Sequence, residues 1–129
     1  MELTDKELAQ QILHLAGTDV KRCIQCGRCS AACPAGDKMD YVPSRMVWEL
    51  VNGHGASLVK ADAPWRCLSC FACEQRCPRG VRPAAVMEAV RLTVIRKQGA
   101  NKLAAESLEN YPADMPQQAL VAAFRKYNK

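Results

Sequence analysis

The chain has 129 residues, a formal net charge of +5 and eight cysteines, the size of one ordinary domain with at most a small appendage. Much of its apolar content is alanine and cysteine, and only seven residues are aromatic (Phe 2, Trp 2, Tyr 3), so the hydrocarbon core is modest and something else must help hold it. The longest apolar run, Ala119 to Phe124, falls far short of the roughly 20 residues of a membrane-spanning helix. The N-terminal MELTDKELAQQ mixes charges of both signs and has no apolar h-region of a secretory signal. The expectation is therefore a cytoplasmic chain without a membrane span, in which the cysteines are not structural disulfides.

Taken in chain order, the predicted elements are helices. Leu3-Thr4-Asp5-Lys6-Glu7-Leu8 carries a capping box from Thr4 to Glu7, with Leu3 and Leu8 placed as a hydrophobic staple. Leu8, Ile12, Leu15 and Ala16 continue one helical stripe, and Gly17 is a natural stop. Pro43 to Asn52 reads as a second helix ended by Gly53. Pro83 to Gln98 reads as a third, with Arg96 and Lys97 in its last turn and Gly99 after it. Met46, Met87 and Val90 on these two helices are packing residues. Asn101 to Asn110 suits a short helix, and Pro116 to Tyr127 another, with Leu120, Ala123, Phe124 and Tyr127 on one face and Lys126 and Lys129 beside it. Strict alternation is nowhere convincing, so the fold class is all-α. The layout is a single domain over 1–129, with an N-terminal helix in 1–20, a core in 21–99 and C-terminal helices in 100–129.

A repeat organises the chain. Cys23-Ile24-Gln25-Cys26-Gly27-Arg28-Cys29-Ser30-Ala31-Ala32-Cys33-Pro34 and Cys67-Leu68-Ser69-Cys70-Phe71-Ala72-Cys73-Glu74-Gln75-Arg76-Cys77-Pro78 share the pattern C-x2-C-x2-C-x3-C-P at an offset of 44 residues. Arg22 and Arg66 precede the runs, Gly36 and Gly80 follow, and Pro43 and Pro83 open the next helices. The chain is thus a two-fold repeat of a cysteine knuckle and a helix.

That spacing is the iron–sulfur spacing of bacterial ferredoxins, in which three cysteines hold one cluster and the fourth, before Pro, ligates the other. The expected ligation is crossed: Cys23, Cys26, Cys29 and Cys77 around one [4Fe-4S] cluster, and Cys67, Cys70, Cys73 and Cys33 around a second. The crossing ties the two halves together and supplies the staple that the small core lacks. Structural zinc is the bland alternative, but zinc sites use separated C-x2-C pairs, and a third cysteine at the same spacing leaves an odd ligand. A Rieske centre needs histidine ligands. Cys29 and Cys33 lie about 6 Å apart along a helix, which puts the cluster centres on the order of 10 Å apart and makes the pair a two-site wire. With four cysteines each, neither cluster offers an open iron to a substrate. Ile24, Leu68 and Phe71 can exclude water, and Gly27 allows a close backbone approach.

Lys21, Arg22, Arg28, Arg66, Arg76, Arg79 and Arg82 flank the cysteines and offset anionic clusters; a docking patch for an acidic partner is the rival reading, and no nucleic-acid readout motif accompanies them. Trp48, Trp65, Tyr41 and Phe71 read as packing around the clusters before electron relays. His14 and His54 stand apart from any acid or nucleophile in sequence, and Ser30 and Ser69 have no base at a readable spacing.

The stretches CIQCGRCSAACPAG, MDYVPSRMVWELVNG and PWRCLSCFACEQRCPRGV resemble the C subunit of heterodisulfide reductase and its relatives in sulfur metabolism. The likeness runs from about Arg22 to Arg91 and is sharpened by Tyr41-x-Pro43 and by the Trp65-x-Cys67 to Val81 context. It implies an alpha-helical ferredoxin fold and an electron-transfer role in a soluble hetero-oligomer. The chain would work between a flavin- and iron–sulfur-bearing A subunit and a B subunit with CCG motifs, which does the thiol–disulfide chemistry. No CCG motif occurs here, so the chain carries no catalytic residue of that reaction. A free-standing ferredoxin-type carrier, a zinc-dependent interaction module and the iron–sulfur protein of a dicarboxylate oxidoreductase are the alternatives.

Overall fold

The computed structural model describes residues 3–96, 114, 116–119 and 121–122. The chain divides into two compact units, Met1–Ile95 and Arg96–Lys129. Of the second unit, residues 117–119 and 121–122 are helical. The helix expected at 101–110, and the rest of the one expected at 116–127, lie outside the described residues.

The first unit is built from helices, with no strand among the described residues. Helix α1 (Asp5–Ala16) starts where local chemistry places it. Thr4 Oγ1 accepts from the Glu7 amide, the Thr4 amide donates to Glu7 Oε2 at 2.8 Å, and Gly17 closes the helix at φ +59°. Two four-residue helices, α2 (Arg28–Ala31) and α5 (Ala63–Arg66), and the five-residue α6 (Ala72–Arg76) belong to the cysteine runs. Between and after them come α3 (Pro43–Val51), α4 (Gly55–Lys60) and α7 (Pro83–Ile95). Proline opens both α3 and α7 at N1, where its missing N–H costs nothing and its fixed φ suits the helix.

The longer helices make the core. Helix α1 packs on α4 and α7, and α3 packs on the same two. Helix α7 buries Ala84, Val86, Met87, Ala89, Val90 and Thr93, so it is covered on most sides and serves as the axis of the unit. Ile12, Met46, Leu50 and Leu58 meet it from the other helices. The polar hydroxyl this burial encloses is satisfied within α7, because Thr93 Oγ1 donates to the Ala89 carbonyl at 2.8 Å. Among the described residues no helix is long and apolar enough to cross a membrane.

One glycine sets how closely α1 and α4 approach. A Cβ on Gly55 would fall inside the contact radius of the Ala9 amide nitrogen and lie 2.8 Å from the Asp5 carbonyl oxygen. The same crossing is tied by the Ala56 amide, which donates to Asp5 Oδ1 at 2.6 Å. Gly55→Ala therefore forces backbone from backbone and is expected to cost about 1–3 kcal/mol. The check is the denaturant midpoint of the holoprotein, which should fall with the slope of the transition unchanged.

Candidate metal centre

The two cysteine runs fold alike, residue for residue. Each begins at the end of a short helical turn. Cys23 follows the 3-10 turn Val20–Arg22 and donates its amide to Val20, and Cys67 follows α5 and donates to Ala63, both at 3.1 Å. The chain then enters the left-handed region twice in each run. Gln25 (φ +54°) corresponds to Ser69 (φ +52°), and Gly27 (φ +76°) to Phe71 (φ +60°). These reversals wrap the backbone around the first three cysteines. Glycine takes such a φ freely, whereas a phenylalanine there holds strain on the order of 1–3 kcal/mol. The third cysteine then lies on α2 or α6, and these two short helices pack against each other.

The residue after the third cysteine ties each run to its helix. Ser30 Oγ accepts from the Ser44 amide at 3.0 Å near the start of α3. Its counterpart Glu74 accepts from the Ala85 amide at 3.3 Å near the start of α7. Both satisfy donors that a helix N-terminus leaves open. Neither short helix continues through the fourth cysteine. The amides of Cys33 and Cys77 instead turn back to the carbonyls of Ser30 and Glu74 at 3.2 and 3.3 Å. The expected helical rise from Cys29 to Cys33 is thus a tight turn.

All eight thiols are free; Cys26 and Cys70 are exposed and the other six part-buried. Cys33 lines a cavity with Cys67, Cys70 and Cys73, although 34 residues of chain separate it from the nearest of them. The cavity is partly open to solvent, and its remaining walls are apolar, among them Met39, Leu68, Phe71 and Met87. In the other set, Cys23 and Cys29 lie near enough for their charges to oppose. Cys23 Sγ accepts from the Gln25 amide at 3.4 Å and from Gln25 Nε2 at 3.3 Å, and Cys77 Sγ accepts from the Val81 amide at 3.3 Å. Burial pushes the Cys29 thiol up, and burial with the neighbouring Cys67 charge pushes Cys73 up to about 11. Such thiols are poor nucleophiles at neutral pH, and a bound cation would deprotonate them.

This donor set suits a polynuclear iron–sulfur cofactor. Four of the cysteines, Cys33, Cys67, Cys70 and Cys73, line one largely apolar hollow, as a thiolate-held cluster requires.

Several side chains stand elsewhere than the sequence suggested. Trp48 and Trp65 are 41% and 49% exposed, so they are not core packing; Tyr41 lies against the core, and Phe71, 51% exposed, lines the cysteine cavity. Ile24 and Leu68 are exposed as well. His54 does have an acid partner, since its Nδ1 donates to Glu49 Oε2 at 2.8 Å, and Arg45 Nε donates to the other oxygen at 2.9 Å. Burial pushes the Glu49 carboxyl up, but these two partners outweigh it and hold the group below its ordinary value. The Arg45 guanidinium also lies 5.4 Å from the ring centroids of Tyr41 and Trp48. Of the basic residues near the cysteines, Arg66 pairs with Asp62 at 2.7 Å, Arg82 lies 3.7 Å from Glu74, and Arg79 Nε donates to the Arg22 carbonyl.

Asp40 was not singled out by the sequence and is central to the site. It lies in the loop after the first run. Its carboxylate accepts from the amides of Tyr41, Asp62 and Ala63 at 2.7–2.8 Å. The last two open α5, which leads into Cys67, so Asp40 positions one run from the loop that leaves the other. Partial burial pushes its carboxyl up, and the three amides more than offset this and hold it below the usual range. Asp40→Ala is expected to expose the Asp62 and Ala63 amides to hydrogen exchange and to cost about 1 kcal/mol at pH 7, after screening by solvent. A depressed carboxyl stabilises fully above its unfolded pKa of about 3.9 and fades only as pH falls through the lower folded value. The difference between wild type and variant should therefore be constant from pH 5 to 8.

Comparison with known proteins agrees with this geometry. Residues 19–81, a little under half of the chain, match the family described as 4Fe-4S dicluster domain. A 61-residue stretch is 31% identical to the C subunit of the H(2):CoB-CoM heterodisulfide,ferredoxin reductase of Methanothermobacter thermautotrophicus (strain Delta H), covering 47% of this chain and 33% of that protein. The chain thus spans about a third of the length of the relative it matches. With the helical fold and the cysteine-lined cavity, these likenesses give the chain an iron–sulfur electron-transfer role, on an all-α domain that resembles the 4Fe-4S dicluster domains and the C subunit of heterodisulfide reductase.

Proposed function

We propose that the chain relays single electrons through two [4Fe-4S] clusters, as one component of a cytoplasmic heterodisulfide reductase-like complex. The observation that carries the reading is the cavity shared by Cys33 with Cys67, Cys70 and Cys73. In this reading Cys67, Cys70, Cys73 and Cys33 would hold one cluster, and Cys23, Cys26, Cys29 and Cys77 the other. The clusters supply one-electron redox chemistry when bound.

The chain's own residues fix and insulate them. The left-handed residues at Gln25, Gly27, Ser69 and Phe71 turn the backbone around the first three cysteines of each run. The tight turn at Cys33 precedes its entry into the cavity of the second run, and in this reading the matching turn at Cys77 would direct it to the first. Core residues back the part-buried Cys23, Cys67 and Cys77, which keeps water from that side. With all ligand positions filled by cysteine, substrate chemistry belongs to another chain.

The partners in this reading are a flavin- and iron–sulfur-bearing protein that feeds or drains one cluster, and a thiol–disulfide protein that exchanges electrons with the other. What supports a fixed component over a free carrier is the apolar surface on the cysteine runs. Ile24, Trp65, Leu68 and Phe71 are about half exposed or more, and lasting interfaces favour apolar and aromatic side chains.

The test is anaerobic purification of the tagged chain from its own cells. The reading expects about eight iron and eight acid-labile sulfide per chain, two centres that each take up one electron, and co-purification of a flavoprotein and a cysteine-rich protein. A colourless chain with zinc and no sulfide would replace it with the zinc module. A brown monomer without partners would replace it with the free carrier.

A further inference from the structure

The two cysteine runs are alike in backbone but are held by different side chains at the same place. That place is the left-handed residue two positions after the first cysteine. In the first run it is Gln25, whose Nε2 donates to Cys23 Sγ at 3.3 Å and to the Ser44 carbonyl of α3 at 3.2 Å. In the second it is Ser69, whose Oγ accepts from Arg91 Nη2 at 3.1 Å. The same guanidinium donates through Nη1 to the carbonyls of Pro64 at 3.1 Å and Cys67 at 3.5 Å. Each run is therefore clamped to the helix that follows it, one by a neutral amide and one by a cation.

Resting on the two-cluster reading, we propose that Gln25 and Arg91 are positioning residues that set the reduction potentials of the two centres separately. The potential of an iron–sulfur centre responds to hydrogen bonds on its sulfurs and to nearby charge. Gln25 acts by the first route, because its amide reaches a ligand sulfur directly. Arg91 acts by the second. Its guanidinium is fixed by three hydrogen bonds to the segment from Pro64 to Ser69, and a cation there stabilises the added electron. None of the three bonds ends on a sulfur, so its effect is one of charge and placement.

Two other arginines near the second run have carboxylate partners. Glu74, beside Cys73, faces Arg82 at 3.7 Å, and Arg66 is paired with Asp62 at 2.7 Å. At the second run Arg91 is thus bonded to uncharged oxygens, while its two neighbouring arginines face carboxylates.

The experiment is a redox titration of the holoprotein followed by electron paramagnetic resonance. The two signals are assigned with Cys26→Ser, which disturbs the first run, and Cys70→Ser, which disturbs the second. Arg91→Gln is expected to lower the second centre's potential alone, by about tenfold in its reduction equilibrium, or 59 mV for a one-electron couple. Arg91→Lys should restore most of that shift, because it keeps the charge and loses the fork. Gln25→Gly, which suits φ +54°, should lower the first centre alone. A variant that loses only the centre on its own side still assigns that clamp to that side. Equal shifts of both centres, shifts in the opposite centre, or full-strength centres at unchanged potentials would overturn the proposal. Absence of two reducible centres from the wild-type protein would overturn the reading beneath it.

Discussion

Cys33 leaves its own run and comes to rest in the hollow lined by the second. That one displacement constrains most of the first unit. To deliver it, α2 must stop after a single turn, and the chain must then fold back through the 3-10 turn Gly36–Lys38 towards α3. Helices α2 and α6, each carrying the third cysteine of its run, pack together. A cofactor bound in that cavity would bridge residues 34 positions apart in sequence. Such binding free energy is also folding free energy. It offers a small alanine-rich unit what its hydrocarbon core lacks.

Around this crossing the helices provide a rigid frame. Helix α7 runs through the middle of the unit and meets every other long helix. It also touches the metal centre twice, through Glu74 at its N-terminus and through Arg91 two turns further on. Thr18 Oγ1 donates to the Val81 carbonyl at 2.5 Å, and the Val81 amide donates to Cys77 Sγ. The peptide after the second run is thereby held between the end of α1 and a cysteine sulfur. Frame and site are thus joined by hydrogen bonds.

What was legible in the sequence is what is encoded locally. Thr4 and Glu7 are three residues apart and cap α1 as read; Pro43 and Pro83 start the helices they were expected to start. The cysteine spacing and the proline after it pointed to a crossing, and the cavity brings Cys33 together with the second run. The six-residue α4 escaped notice because it is too short for a periodic pattern. Asp40 and Arg91 were hidden for a different reason: each bonds backbone more than 20 residues away, and one sequence has no signal for that. The left-handed backbone of Phe71 is legible in the repeat, because an offset of 44 places it opposite Gly27. The exposure of Trp48 and Trp65 has no signal in one sequence, because residue type alone does not fix burial.

The crossed ligation is the claim on which the rest stands, and paired substitutions test it most directly. Cys33→Ala combined with Cys70→Ser removes two ligands of one centre in this account. Cys33→Ala combined with Cys26→Ser removes one from each. Iron content and paramagnetic resonance of the reduced proteins should show one intact centre in the first double variant and none in the second. One intact centre with Cys26→Ser, and none with Cys70→Ser, would mean that Cys33 ligates within its own run, and the account would be wrong.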